Sequence, residues 1–202
     1  MLFFILRIQT ITAEHVKMNK KRFIILSGFI LIAAISRLIP HPYNFAPMGA
    51  MSLFGAAYFA DKKFAFLLPL FAMFVSDLLV NNLIYSQFYG GFTLFTPGFW
   101  WMYGSIALIV VAGIFIMKKV NMKTVIAGSL SASVIFFLIT NFGAWVVSPV
   151  YPAGISGLFM SYAAGIPFFH LTIFGDLFYC GVMFGAFEFL QQRKPALQII
   201  HK

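Results

Sequence analysis

The placement of positive charge constrains this chain more than any motif does. Four basic clusters recur along it: Lys20-Lys21-Arg22, Lys62-Lys63, Lys118-Lys119 with Lys123, and Arg193-Lys194 with Lys202. Between consecutive clusters lie roughly 40, 55 and 70 residues, each enough for two membrane crossings of about 20 residues. The far turns, around residues 40–46, 82–97 and 144–167, contain no Lys or Arg. Cytoplasmic loops collect Lys and Arg, so the pattern predicts an all-α membrane protein, a bundle of about six transmembrane helices with both termini cytoplasmic. Every Lys and Arg except Arg37 falls in a segment that can face the cytoplasm. Arg37 sits inside an apolar run, which makes it the first functional suspect.

Composition agrees with that class. The 202 residues are 61% hydrophobic and 9% charged, with mean hydropathy +0.93, where soluble domains carry about 25% charged residues. This composition needs lipid as its solvent. The formal charge of +9 would point a soluble protein toward nucleic acid; here the positive-inside pattern accounts for it, and no nucleic-acid partner is expected. A single cysteine, Cys180, excludes an internal disulfide and a Cys-rich metal site. The chain contains no Walker A, HExxH or GxSxG sequence. No enzymatic activity and no cofactor are expected, and any ATP-driven step belongs to another chain.

Residues 1–17 are short, mixed and unlike the rest; Met18-Asn-Lys-Lys-Arg before an apolar run resembles a natural membrane-protein start, so 1–17 read either as an upstream extension outside the native chain or as a frayed amphipathic stretch. Residues 18–202 then form a single six-helix transmembrane domain. The Lys20–Ile35 stretch has the basic and apolar regions of a signal peptide, but runs on to Arg37 and Pro40 without a small-x-small cleavage site. Spans are predicted at about 23–39, 46–60, 64–81, 98–117, 124–143 and 168–190 by apolar run length. Trp100, Trp101 and Tyr103 suit an interfacial belt. The expected location is the bacterial inner membrane, multi-pass, in contact with lipid. Segments 82–97 and 144–167 are aromatic, contain Gly and Pro, and are too apolar for solvated loops. They are predicted to fold onto the outer mouth as lids or half-helices, with ordinary interfacial loop packing as the alternative.

Arg37, Asp77 and Asp176 are ionisable groups that this topology puts inside the membrane, with Glu188 near the inner end. Burying a charge mid-span costs about 2.5–3.5 kcal/mol or more. Such groups persist when paired or when they face a wet cavity. Two readings stay open: a polar binding site in the outer half, and an Arg–Asp lock between helices. One Arg leaves one of the two carboxylates over. His41, Asn44, Asn81, Asn141 and His170 fall on the same outer side, together with Tyr43, Asn82, Thr140 and Thr172, whereas the inner halves are almost wholly apolar. His41, His170, Asp77 and Asp176 are also plausible ligands for a divalent cation, but their spacing is not local and the metal question stays open. Small residues at Ala46–Ala50, Ala56–Ala60 and Gly181–Gly185 mark close helix contacts, within the bundle or against a partner.

The runs Arg37-Leu-Ile-Pro-His-Pro-Tyr-Asn-Phe-Ala-Pro, Ser76-Asp77-Leu, Thr140-Asn141-Phe-Gly and Pro167-Phe-Phe-His-Leu-Thr-Ile-Phe-Gly-Asp176 together resemble an uncharacterised bacterial family held to be membrane transport proteins. In size and helix number that family is similar to the substrate-binding S components of energy-coupling-factor (ECF) transporters. The resemblance implies capture of a vitamin-like compound or a metal ion from outside, and partnership with a transmembrane T component and ATPases. S components often carry Ala-xxx-Ala on the first helix for docking; span 1 lacks it, and the nearest equivalents lie on span 2. The expected function is therefore membrane transport of a small molecule. The alternatives are an ion- or proton-coupled secondary transporter and a non-transporting membrane subunit or assembly factor.

Overall fold

The structure is a computed structural model that describes residues 19–194 and Leu197. The extension at 1–17, the terminal Lys202 and the side of the membrane on which the termini lie fall outside the described residues. All regular structure among those residues is helical. Helix α1 is Lys20–Ile35, followed by a 3-10 turn at Ser36–Leu38. Next come α2 (Met48–Tyr58), α3 (Lys62–Leu79) with a π turn at Val80–Ile84, and the short α4 (Ser86–Tyr89). Helices α5 (Phe99–Ile116), α6 (Met122–Val147) and α7 (Ile155–Arg193) complete the bundle.

Helices that start beside a basic cluster carry their own caps. Asn19 accepts from the Lys21 amide at 3.0 Å, and Asp61 accepts from the Lys63 amide at 2.9 Å. Asn121 and Thr124 form a reciprocal capping box on α6. At the opposite end, α5 and α7 start after Gly98 (φ 79°) and Gly154 (φ 94°). Those left-handed conformations let the chain reverse sharply into a helix.

The basic clusters share one end of the bundle. The Arg22 guanidinium donates to Gln191 Oε1 at 2.7 Å, joining the start of α1 to the end of α7. The Tyr58 hydroxyl donates to Glu188, joining the end of α2 to the same place. Lys62 Nζ donates to the Ala56 and Phe59 carbonyls at 3.1 Å, so a cation closes the C-terminus of α2, where the helix dipole favours one.

Helix α2 is the centre of the molecule. It packs against α1, α3, α5, α6 and α7, and nine of its eleven residues are buried. Phe54 and Tyr58 nest edge-on against Phe184 and Phe187 of α7. Gly113 lets α5 approach it, since a Cβ there would lie 2.7 Å from the Ala56 methyl; Gly128 of α6 makes room for Met117 at the end of α5, whose Cε would lie 2.2 Å from an added Cβ.

Four helices are long and apolar enough to cross a membrane: Lys62–Ile84, Phe99–Ile116, Met122–Val147 and Ile155–Arg193. The first two predicted spans are shorter than expected. Helix α1 stops at Ile35 instead of 39, and α2 has 11 residues, a rise of about 16 Å, against a hydrocarbon core of about 30 Å. The last predicted span is longer. Helix α7 begins at Ile155 and carries Pro167 inside it, so residues 155–167 are continuous helix. Proline removes one backbone bond. Packing on α6 offsets that loss: Ser161 donates to the Asn141 carbonyl at 2.5 Å and Tyr162 to the Leu138 carbonyl at 3.0 Å. Segment 82–97 starts in the π turn, passes through α4 and is tied back by Asn82, which bonds both the carbonyl (2.9 Å) and the amide (2.8 Å) of Thr93.

Candidate functional site

The two membrane carboxylates are satisfied separately. Asp77, near the end of α3, accepts from Arg37 Nη1 at 2.8 Å and from the Tyr103 hydroxyl of α5 at 2.9 Å. The same guanidinium nitrogen lies 2.6 Å from Ser76 Oγ and 3.1 Å from Met73 Sδ. The pair is nearly closed off, with 13% and 9% of the two side chains exposed. It ties the turn after α1 to α3 and α5.

Asp176, on α7, is 2% exposed. Ser133 of α6 donates to its Oδ2 at 2.7 Å. The backbone amides of Gly49 and Ala50, in the first turn of α2, also bond its carboxylate. Pro47 precedes this helix and gives it no side-chain cap, so a residue from the far end of the chain supplies one. The seat requires glycine at 49: a Cβ there would fall 2.3 Å from Asp176 Oδ1. The opposite ends of α2 thus meet Asp176 and Lys62, each sign matched to the helix dipole.

Beyond this seat, away from the basic end, α5, α6 and α7 part around a cavity of about 820 Å³. That volume falls in the roughly 300–1,000 Å³ range of small-molecule sites. Aromatic walls come from Phe99 and Trp101 on α5, Phe136 and Phe137 on α6, and Phe168 and Phe169 on α7. The Phe137 and Phe169 rings meet at 4.7 Å. Thr140, Asn141 and Thr172 supply polar atoms, and Asn44 (φ 61°) reaches the rim from the chain before α2. Thr172 stands one turn of α7, about 5.4 Å, from Asp176, so the capping carboxylate lies just past the cavity floor. Residues 96–99 with Ser148, Pro149 and Tyr151 complete the mouth, which brings parts of both aromatic outer segments to it.

Of the site residues predicted from sequence, Asn44 and Asn141 line the cavity. Arg37 and Asp77 pair with each other, and Asp176 caps α2. Asn81 is buried in the π turn at the end of α3. His41 and His170 are exposed: His41 Nδ1 lies 2.6 Å from the Ile39 carbonyl, and the His170 ring stands edge-on to Phe174. Among the described residues no three His, Cys, Asp or Glu side chains gather where they could hold a metal ion. That removes the geometric basis for a His41–His170–Asp77–Asp176 cation site. Cys180 is buried. Of the small-residue motifs, Gly49, Ala50 and Ala56 are packed within the bundle, while Gly181 and Gly185 face open space.

Ser133 and Tyr103 carry the partner roles that sequence reading missed. Tyr103 sits beside Trp100 and Trp101 and looks like belt; Ser133 sits among other serines. The doubled aromatics at 136–137 and 168–169 were the available sign of the cavity walls.

Residues 17–197 match DUF6580, a family of unknown function. The chain belongs to this family. The DUF6580 match runs across every described helix, from α1 to α7. No curated protein and no solved structure matches the chain.

Proposed function

We propose that this chain is an integral-membrane transport protein that takes a small-molecule substrate into the cavity between α5, α6 and α7. The observation that carries this reading is the cavity itself: about 820 Å³, aromatic-walled, with a few convergent neutral polar groups. It opens at the end opposite the basic clusters. With those clusters in the cytoplasm, the mouth faces outward across a bacterial inner membrane. Helix α2 covers about half the thickness of a bilayer core, and Asn44, from the irregular chain before it, reaches the cavity rim. Discontinuous helices at substrate sites recur in transporters. The size of the chain and its outward site also suit an S component of the ECF type working with a T component and ATPases.

The test is mass spectrometry of small molecules retained by the gently purified protein, beside Ala144→Phe, which fills the cavity. A compound present in wild type and missing from the folded variant supports the reading. A stable wild type that retains nothing, in cells whose uptake profile is unchanged by deleting the protein, sinks it.

One observation favours a second reading, ion- or proton-coupled transport: a buried carboxylate, Asp176, holds the half-helix α2 directly past the cavity floor. That reading requires uptake that collapses with an uncoupler and survives ATP depletion.

A further inference from the structure

The three membrane charges on which sequence reasoning rested are consumed inside the protein. Arg37 and Asp77 neutralise each other, and Asp176 is held by Ser133 and the amides of Gly49 and Ala50. Among the described residues lining the cavity there is no Lys, Arg, His, Asp or Glu. An ionised ligand entering it sheds hydration and meets no counter-charge, which is unfavourable in an apolar-walled site; the ring faces return part of that cost to a cation and none to an anion.

The polar atoms carry a further preference. Thr140 Oγ1 donates to the Phe136 carbonyl at 2.7 Å, Thr172 Oγ1 to the Phe168 carbonyl at 3.4 Å, and Asn141 Nδ2 to the Phe137 carbonyl at 2.8 Å. Each spends a hydrogen on its own helix and keeps oxygen lone pairs in hand. These three side chains therefore offer oxygen acceptors to a ligand, while Trp101, Tyr151 and Asn44 on the lining carry donors. The cavity walls are flat rings from three helices, suited to stacking against a planar partner.

Resting on the proposed capture role, we infer that the ligand is an uncharged, planar ring compound that brings N–H or O–H donors to Thr140, Asn141 and Thr172. Metal ions, carboxylates and phosphates are excluded as its primary ligands, and ammonium compounds rank below neutral ones because the ring faces offset only part of their lost hydration.

Three probes share one ring and differ in charge: indole-3-acetamide (neutral), indole-3-acetate (anionic) and tryptamine (cationic). Equilibrium dialysis of the tritiated probes against the full chain in nanodiscs, with empty nanodiscs subtracted, measures binding at neutral pH. The acetamide is expected to bind at least tenfold more tightly than either ion, about 1.4 kcal/mol. Ala164→Phe, a filler at an exposed position on the lining, removes that binding. Ala164→Asp supplies the missing counter-charge and brings tryptamine up to the acetamide level. Binding of acetate or tryptamine as tight as that of the acetamide, lost in Ala164→Phe, overturns the ligand class while leaving a genuine capture site. Absence of binding by all three also overturns the class; the capture role then stands or falls on the retained-compound measurement alone.

Discussion

Replacing Asp176 by Ala removes the acceptor for two backbone amides at the start of α2, and that loss can be sized. Gly49 and Ala50 are buried, so no water takes the place of the carboxylate. Leaving a buried donor unsatisfied costs about 1–3 kcal/mol. Two such amides give roughly 2–6 kcal/mol, centred near 4. Ser133 adds little, because its hydroxyl also bonds the Ser129 carbonyl at 3.1 Å. Against a total stability of about 5–15 kcal/mol, Asp176→Ala takes a large share. Asp176→Asn keeps one acceptor oxygen and loses roughly half as much. Reversible unfolding in mixed detergent and SDS micelles, followed by far-UV circular dichroism, measures both. The decisive control is Gly49→Ala, whose methyl would sit 2.3 Å from Asp176 Oδ1. In wild type it is destabilising despite the helix-propensity gain of about 1 kcal/mol. In the Asp176→Ala background the clash has gone, so the two changes couple by about 1 kcal/mol or more. Additive effects, or a loss below about 0.5 kcal/mol for Asp176→Ala, would refute the capping role and return Asp176 to the pool of ligand-contacting residues.

Arg37→Ala strands the Asp77 carboxylate, and removing one partner of a buried pair costs about 3–5 kcal/mol. The double variant Arg37→Met/Asp77→Leu is expected to recover most of that in the same unfolding assay. Asn82→Ala cuts both ties to Thr93, and hydrogen exchange at the Thr93 amide should speed up at least tenfold while α3 is unaffected. Cys180 of α7, buried against Ser129 of α6, should resist a membrane-permeant maleimide until SDS unfolds the chain; prompt labelling of the folded protein would show that this interface opens.

The helical class and the long apolar runs were legible because hydropathy and loop charge report directly on lipid as the solvent. The predicted starts at 23, 64 and 124 fall two or three residues inside the helices that Asn19, Asp61 and Asn121 cap, because the apolar run begins after the polar first turn. Pro167 misled, because a proline's local penalty says nothing about the α6 surface that holds residues 155–167 helical. Asp77 and Asp176 each follow a small residue and precede Leu, so they look alike in sequence; one meets a guanidinium and the other a helix terminus. Only tertiary placement separates those fates. The cavity was half legible: Asn44 and Asn141 belong to it, while its rings looked like ordinary apolar sequence.

The seating of α2 also orders how the chain can be made. Eleven residues without a cap of their own form a poor independent insertion signal, so α2 is expected to wait near the interface as its neighbours enter the bilayer. Its N-terminal amides find their acceptor only after α7 emerges from the ribosome, when more than half of the chain separates residue 49 from residue 176. Until then every nascent form carries an open core. Truncation anywhere before Asp176 should therefore leave a product that inserts but never matures, and membrane quality-control proteases would clear it.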